Sequence, residues 1–147
     1  MVHKEDQHID PLLSCLVTLT KINNRPFTAE ALTAGLPLKK DKPWPEMFSV
    51  KEGRSNFTRA AYRAGYKAKL FQKKLTEISP LVLPAILILK NKNACILEKI
   101  EDDRAKIITS ELGESEHWVT LKTLEEEYLG FVYYLKPIYN YQTIRPL

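Results

Sequence analysis

Asp10-Pro11-Leu12-Leu13-Ser14-Cys15-Leu16 opens the first periodic segment of this chain and decides how the rest is read. Asp10 is a good N-cap, because its short carboxylate reaches backbone N–H groups that a first helical turn leaves unbonded. Pro11 follows at the first helical position, where its missing N–H costs nothing. Leu12, Cys15, Leu16 and Leu19 then recur at i, i+3, i+4 and i+7, so they form one apolar stripe with Cys15 on it. Ile22 and the Asn23-Asn24 pair close the segment before Pro26.

Outward from this helix the front half stays helical. Thr28 caps a short helix from Ala29 to Ala34 that ends at Gly35, with Pro37 as a stop. A third helix is predicted from Ser55 to Ala64, with Phe57, Ala60, Ala61 and Ala64 at helical spacing and Gly65 at its end. The back half changes period. Strands are predicted over Tyr66–Gln72, Ala85–Leu89, Ala94–Ile100, Ala105–Ser110, His117–Leu121 and Phe131–Leu135. Thr123-Leu124-Glu125-Glu126 reads as a capping box for a short helix ending at Gly130. Helices followed by a run of antiparallel strands define an α+β fold, with helices on one side of a sheet.

Residue by residue, the opening stretch resembles the double-glycine cysteine peptidases that form the N-terminal domain of many bacterial peptide-exporting ABC transporters. In that family an acidic residue precedes the catalytic Cys, and a second small residue or Cys, then Leu, follows a turn later. Anchored on Asp10 and Cys15-Leu16, the nucleophile position falls on Pro11. Leu83-Pro84-Ala85-Ile86-Leu87 matches the family's Leu-Pro-Ala strand, and Asn91-Lys92-Asn93 its turn. The His position becomes Asn93, or Ala94 if the register slips by one, and the Asp position becomes Thr109. A cysteine peptidase needs a thiolate made by an adjacent His that a third group orients, so these substitutions imply a scaffold without proteolysis.

Together with Thr28-Ala29-Glu30-Ala31-Leu32-Thr33-Ala34-Gly35-Leu36-Pro37-Leu38, the pattern resembles the peptidase-like domain of type I secretion transporters that export large RTX adhesins and toxins. The resemblance runs from Asp10 to about Pro137 and implies a papain-like cysteine peptidase fold, with N-terminal helices packed on a C-terminal antiparallel sheet. Residues 39–54 are a longer connection than the pattern expects. It further implies an extension over residues 1–9, a peptidase-like domain over 10–137, and a linker over 138–147 leading toward a transmembrane domain outside the chain. The implied partners are an RTX-type secreted substrate, the rest of the transporter and its membrane fusion protein. The implied place is the cytoplasmic face of the bacterial inner membrane.

Composition supports a single domain. A chain of 147 residues buries roughly 68–70% of its unfolded surface, enough for one core. No run approaches the ~18 uninterrupted apolar residues of a membrane span, and residues 1–8 lack the apolar core of a signal peptide. The net charge of +4 is spread along the chain, which is not the dense footprint of a nucleic-acid module. None of the five glycines falls in a phosphate-loop pattern. No cofactor is therefore expected in this chain, and the transporter resemblance implies that ATP and Mg belong to a nucleotide-binding domain beyond it. No Cys/His cluster has metal-ligand spacing, and Cys15 and Cys95 read as reduced core thiols.

Two candidate sites follow, the first a rival to that picture and the second part of it. A shifted nucleophile, Cys15, served by His117, His8 or His3, would make an active peptidase cleaving a double-glycine leader; a domain that serves assembly, without affinity for cargo, is a further alternative. The second site is aromatic and substrate-binding. Trp44 and Phe48 in Lys42-Pro43-Trp44-Pro45-Glu46-Met47-Phe48 either form an exposed peptide-recognition surface or fold back over the third helix. Trp118 and Tyr134 join them as candidates. Period-2 alternation sets Phe131, Tyr133 and Leu135 on one face and Val132 and Tyr134 on the other, one face core and the other solvent or binding platform.

Overall fold

The computed structural model describes residues 9–38, 44–48, 50–51, 54–109 and 115–138. Helix α1 (Pro11–Ile22) begins where the sequence predicts: Asp10 caps it, with the Leu12 N–H donating to Asp10 Oδ1 at 2.8 Å. Thr28 caps α2 (Ala29–Thr33), its hydroxyl accepting from the Ala31 N–H at 3.0 Å. Two-residue strands β1 (Val50–Lys51) and β2 (Arg54–Ser55) pair antiparallel, and Ser55 then caps α3 (Asn56–Arg63). This small hairpin falls at the end of the segment expected to be a plain connection, residues 39–54, half of which lie outside the described residues.

The second half supplies six strands: β3 (Tyr66–Gln72), β4 (Ala85–Leu89), β5 (Asn93–Glu101), β6 (Arg104–Thr109), β7 (Ser115–Thr120) and, after α4 (Leu121–Glu127), β8 (Tyr128–Pro137). They form one antiparallel sheet in the order β3-β8-β4-β5-β6-β7. The last strand crosses from one edge to the middle of the other half, and α4 carries the chain over. Between β4 and β5, Asn91 and Lys92 both take positive φ (61° and 56°), the backbone twist that a tight hairpin needs.

Helices α1, α2 and α3 cover one face of the sheet. Leu12, Cys15, Leu16 and Leu19 meet Ile86, Ile88, Ala94, Ile96 and Ile108 there, joined by Leu32, Phe57, Ala60 and Tyr133. Each large aliphatic side chain buried in this way contributes roughly 1.5–3 kcal/mol.

The centre of the opposite face is not open. Leu87, Leu89, Cys95, Leu97, Ala105, Ile107 and Val132 pack there under Leu124 of α4, with Leu75 and Ile78 from the turns that follow β3. The sheet thus has two cores, so neither face of its centre is open, while the Tyr134–Lys136 end of the second face, beside β3, stays in solvent. All five residues of β4 are buried, as expected of a strand covered on both sides.

Two further corrections concern α4 and β8. Thr120, not Thr123, is the N-cap: its hydroxyl accepts from the Thr123 N–H at 3.1 Å. The helix ends at Glu127, and Gly130 lies inside β8 with φ +96° rather than closing the helix.

Candidate functional site

The three positions that matter to the peptidase resemblance lie at element ends. Alternation puts Asn93 with Leu89 and Cys95, and Thr109 with Ile107, on the side of the sheet away from α1, whereas the register alternative Ala94 lies under α1. Pro11 starts α1, Asn93 starts β5 and Thr109 ends β6. The β5–β6 register, Ile96 opposite Ile108 and Leu97 opposite Ile107, carries on to set Thr109 near Cys95, two residues from Asn93. Helix α1 packs across this same strand, with Ala94 and Ile96 beneath its apolar stripe.

Each position is occupied by a group with little acid–base or nucleophilic reach. Pro11 carries no heteroatom in its side chain. Asn93 accepts from the Ala94 N–H through Oδ1 at 2.8 Å, so its amide oxygen is turned onto its own strand. Thr109 is partly buried at the strand end. The neighbouring titratable group is Asp10, whose carboxyl is raised above its ordinary value because burial disfavours the charge. N–H groups of Leu12, Met47 and Leu13 oppose that shift, and the Glu46 carboxylate adds to it.

The two thiols are poor substitutes. Cys15 is 1% exposed and Cys95 fully buried. Burial pushes Cys15 well above its ordinary range, reinforced by Cys95 and Asp10, and pushes Cys95 up to about 12. A reactive cysteine needs the reverse, an electropositive and partly exposed setting. His117 does not approach Cys15. It is exposed on edge strand β7 opposite Ile107, whose side chain lies in the core on the far side of the sheet from α1. His3 and His8 lie outside the described residues.

The four aromatic candidates are not brought to one surface. Met47 anchors their first pair: its carbonyl accepts from the Phe57 N–H at 2.8 Å, and the Glu46 carbonyl accepts from Asn56 Nδ2 at 2.7 Å. Trp44 then packs, partly buried, against the core beneath α1, with its Nε1 lacking an acceptor among the described residues. Phe48 is 51% exposed and stacks on Tyr133 at 6.5 Å, which in turn lies 4.3 Å from Phe57. The loop thus splits between the two readings of the sequence, Trp44 folding inward and Phe48 outward.

Trp118 lies on β7 at the far edge of the sheet, with the Arg104 guanidinium 5.3 Å from its ring. Tyr134 lies on the face opposite Tyr133, tilted against Phe71 at 4.7 Å.

One concavity among the described residues was not singled out by sequence. A cleft of about 820 Å³ runs along β3 and the end of β8, and Tyr134 is the one expected binding residue that lines it. Lys67, Lys69, Lys136 and Leu81 line it too. Their signal in the sequence is the alternation Lys67-Ala68-Lys69, legible as a strand but silent about which edge it would occupy.

No family model and no curated protein matches the chain. Solved structures do. The N-terminal peptidase C39-like domain of the toxin secretion ATP-binding protein from Vibrio parahaemolyticus is 34% identical, with a TM-score of 0.73 over 88% of this chain and 98% of that one. A double-glycine motif protease from an AMS/PCAT transporter, solved with its leader peptide, is 14% identical with a TM-score of 0.63 over 93% of this chain and 89% of that one. The peptidase domain of Streptococcus ComA, a bifunctional ABC transporter of a quorum-sensing pathway, is 13% identical with a TM-score of 0.62 over 87% and 91%. The last two share the fold, an α+β papain-like arrangement of helices on an antiparallel sheet. By its identity to the Vibrio domain over nearly that domain's whole length, the chain belongs to the peptidase C39-like domain family.

Proposed function

We propose that this domain is a non-catalytic peptidase-like module of a type I secretion ABC transporter, which binds an RTX-type protein substrate and holds it before export. The observation that carries the reading is Pro11 at the first position of α1, where the peptidases place their nucleophile. Asn93 or Ala94, and Thr109, at the other two positions support it, as do thiols held too deep and too basic to replace a missing nucleophile.

A papain-like scaffold without its chemistry keeps surfaces suited to extended peptide, and weak backbone-and-pocket recognition suits an unfolded passenger. The Vibrio relative belongs to a toxin secretion protein, which favours a protein cargo. In this reading the domain sits at the cytoplasmic face of the bacterial inner membrane, residues 138–147 lead toward the membrane domain, and a membrane fusion protein completes the route. ATP and Mg are held by a nucleotide-binding domain outside this chain.

An NMR titration with an unfolded, secretion-competent fragment of the exported protein tests the reading. Shifts that saturate are expected; none at saturating cargo refutes it. The double-glycine protease among the structural neighbours keeps a second reading in view, cleavage through Cys15. Incubation with leader peptides separates the two, since cleavage abolished by Cys15→Ala would overturn the non-catalytic assignment.

A further inference from the structure

The geometry points to the cleft along β3 and β8 as the docking site for an extended acidic polypeptide segment whose carboxylates alternate with apolar side chains. This rests on the reading of the domain as a carrier of RTX-type cargo and specifies where and how the cargo is held.

Three features of the cleft carry the inference. Lys67, Lys69 and Lys136 line it and are exposed, and among the described residues no ion pair engages any of them. Between them lie apolar groups: Phe71 and Tyr134 form the floor, and Leu81 stands at the rim with 94% of its surface in solvent. An aliphatic side chain so exposed beside unpaired cations is a surface built for contact rather than for folding. The nearby acid is Glu77, which raises Tyr134 after burial does and whose Oε1 already accepts the Lys74 N–H at 2.7 Å.

The third feature is spacing. Lys67, Lys69 and Phe71 alternate along β3, opposite Lys136, Tyr134 and Val132, so two cations and an aromatic stand in a row on one face, about 6.8 Å apart. Among the described residues β3 pairs only with β8. The Ile138 N–H donates to the Gly65 carbonyl and the Lys73 N–H to the Gly130 carbonyl, which puts odd-numbered residues in the hydrogen-bonded set. Leu70 and Gln72, both exposed, therefore turn their backbone groups away from β8, available to a peptide lying alongside.

The RTX repeat, G-G-x-G-x-D-x-U-x with U apolar, has the complementary period. Its D-x-U element, extended in the absence of calcium, puts a carboxylate and an apolar side chain on one face at the same separation. Asp against Lys69 and the apolar residue against Phe71 and Leu81 is the match.

Fluorescence anisotropy with the whole 147-residue domain tests this. The probe is a calcium-free synthetic peptide of three repeats, Gly-Gly-x-Gly-x-Asp-x-Leu-x. Wild type is expected to bind it, with affinity about tenfold lower in the triple variant Lys67→Glu, Lys69→Glu, Lys136→Glu and about threefold lower in Leu81→Ser. A probe with Asn for each Asp should bind wild type as weakly as the original binds the triple variant. All four side chains are exposed, so melting temperatures should match wild type and keep the comparison valid. Equal affinity of wild type and triple variant sinks the cleft while leaving the carrier reading intact. If wild type binds neither the peptide nor unfolded cargo, the carrier reading itself fails. Lysine-dependent retention on anionic phospholipid vesicles without peptide binding would reassign the cleft to the membrane.

Discussion

Cys15 faces the sheet from the middle of the apolar stripe of α1, and its burial has a consequence that pH can read. The folded thiols of Cys15 and Cys95 are pushed up, Cys95 to about 12, whereas unfolded thiols ionise near 8.5. Below about 8.5 both states hold the proton and nothing is lost. Between that value and 12 the unfolded chain gives up protons that the folded chain keeps, so stability falls as pH rises, by about 1.4 kcal/mol per unit for each thiol. Cys95→Ala should flatten the dependence of the unfolding midpoint between pH 9 and 11 in urea titrations. In parallel, a thiol-reactive dye at pH 8 should label the native domain only as fast as it unfolds. Asp10 works the same way in the acid range: its folded carboxyl is raised, so its contribution is present below the unfolded value near 3.9 and lost as pH rises through the folded value. Asn caps equally well without charge. Asp10→Asn should therefore match wild type near pH 3.5 and exceed it at pH 7, whereas Asp10→Ala should lose about 1 kcal/mol of cap.

At the scale of elements, helix starts were legible because a single side chain dictates each. Asp10 and Thr28 are N-caps in the structure, as the sequence predicts, Ser55 caps the helix predicted to begin with it, and Gly65 ends α3 with φ +93°. Gly65→Ala should cost about 1–2 kcal/mol in thermal melts, since an L side chain rarely adopts that backbone. The α4 region was misread for a definable reason. Thr120 and Thr123 both offer a capping hydroxyl three residues before a polar or acidic partner, and tertiary packing decides between them. The Leu121 N–H donates to the Asp103 carbonyl at 2.8 Å, which fixes the helix start one residue after Thr120. Tyr128 then opens β8 rather than extending α4, because it pairs with Leu89 and its hydroxyl donates to the Lys73 carbonyl at 2.6 Å. Neither partner is close in sequence, so no local pattern could show it. Thr120→Ala should weaken the domain by about 1 kcal/mol in denaturant titration and Thr123→Ala by clearly less.

For the whole molecule, the candidate site divides into a legible and a hidden part. Pro11, Asn93 or Ala94, and Thr109 could be proposed from sequence because short motifs align them, with the register between Asn93 and Ala94 left open. The cleft could not, since Lys67 and Lys136 are far apart along the chain and become neighbours only when β8 returns beside β3. The two-sided core was hidden for a related reason: alternation in β8 shows two faces but not that α4 and the turns after β3 close the centre of the second one. That architecture has a thermodynamic consequence. Strands β4 and β5 give alternate residues to both cores, Ile86, Ile88 and Ile96 to one and Leu87, Cys95 and Leu97 to the other. Neither layer can lose its packing while the strands stay in register for the other, so the domain should unfold in one step. Leu16→Ala on the helical side and Leu97→Ala on the α4 side, both at 0% exposure, should each cost about 2–5 kcal/mol. The check is a Trp118→Phe background, in which Trp44 fluorescence reports the helical core and far-UV circular dichroism the whole fold. Coincident transitions in both variants are expected, and a Leu97→Ala transition in which Trp44 fluorescence lags the dichroism would mean that the two cores melt separately.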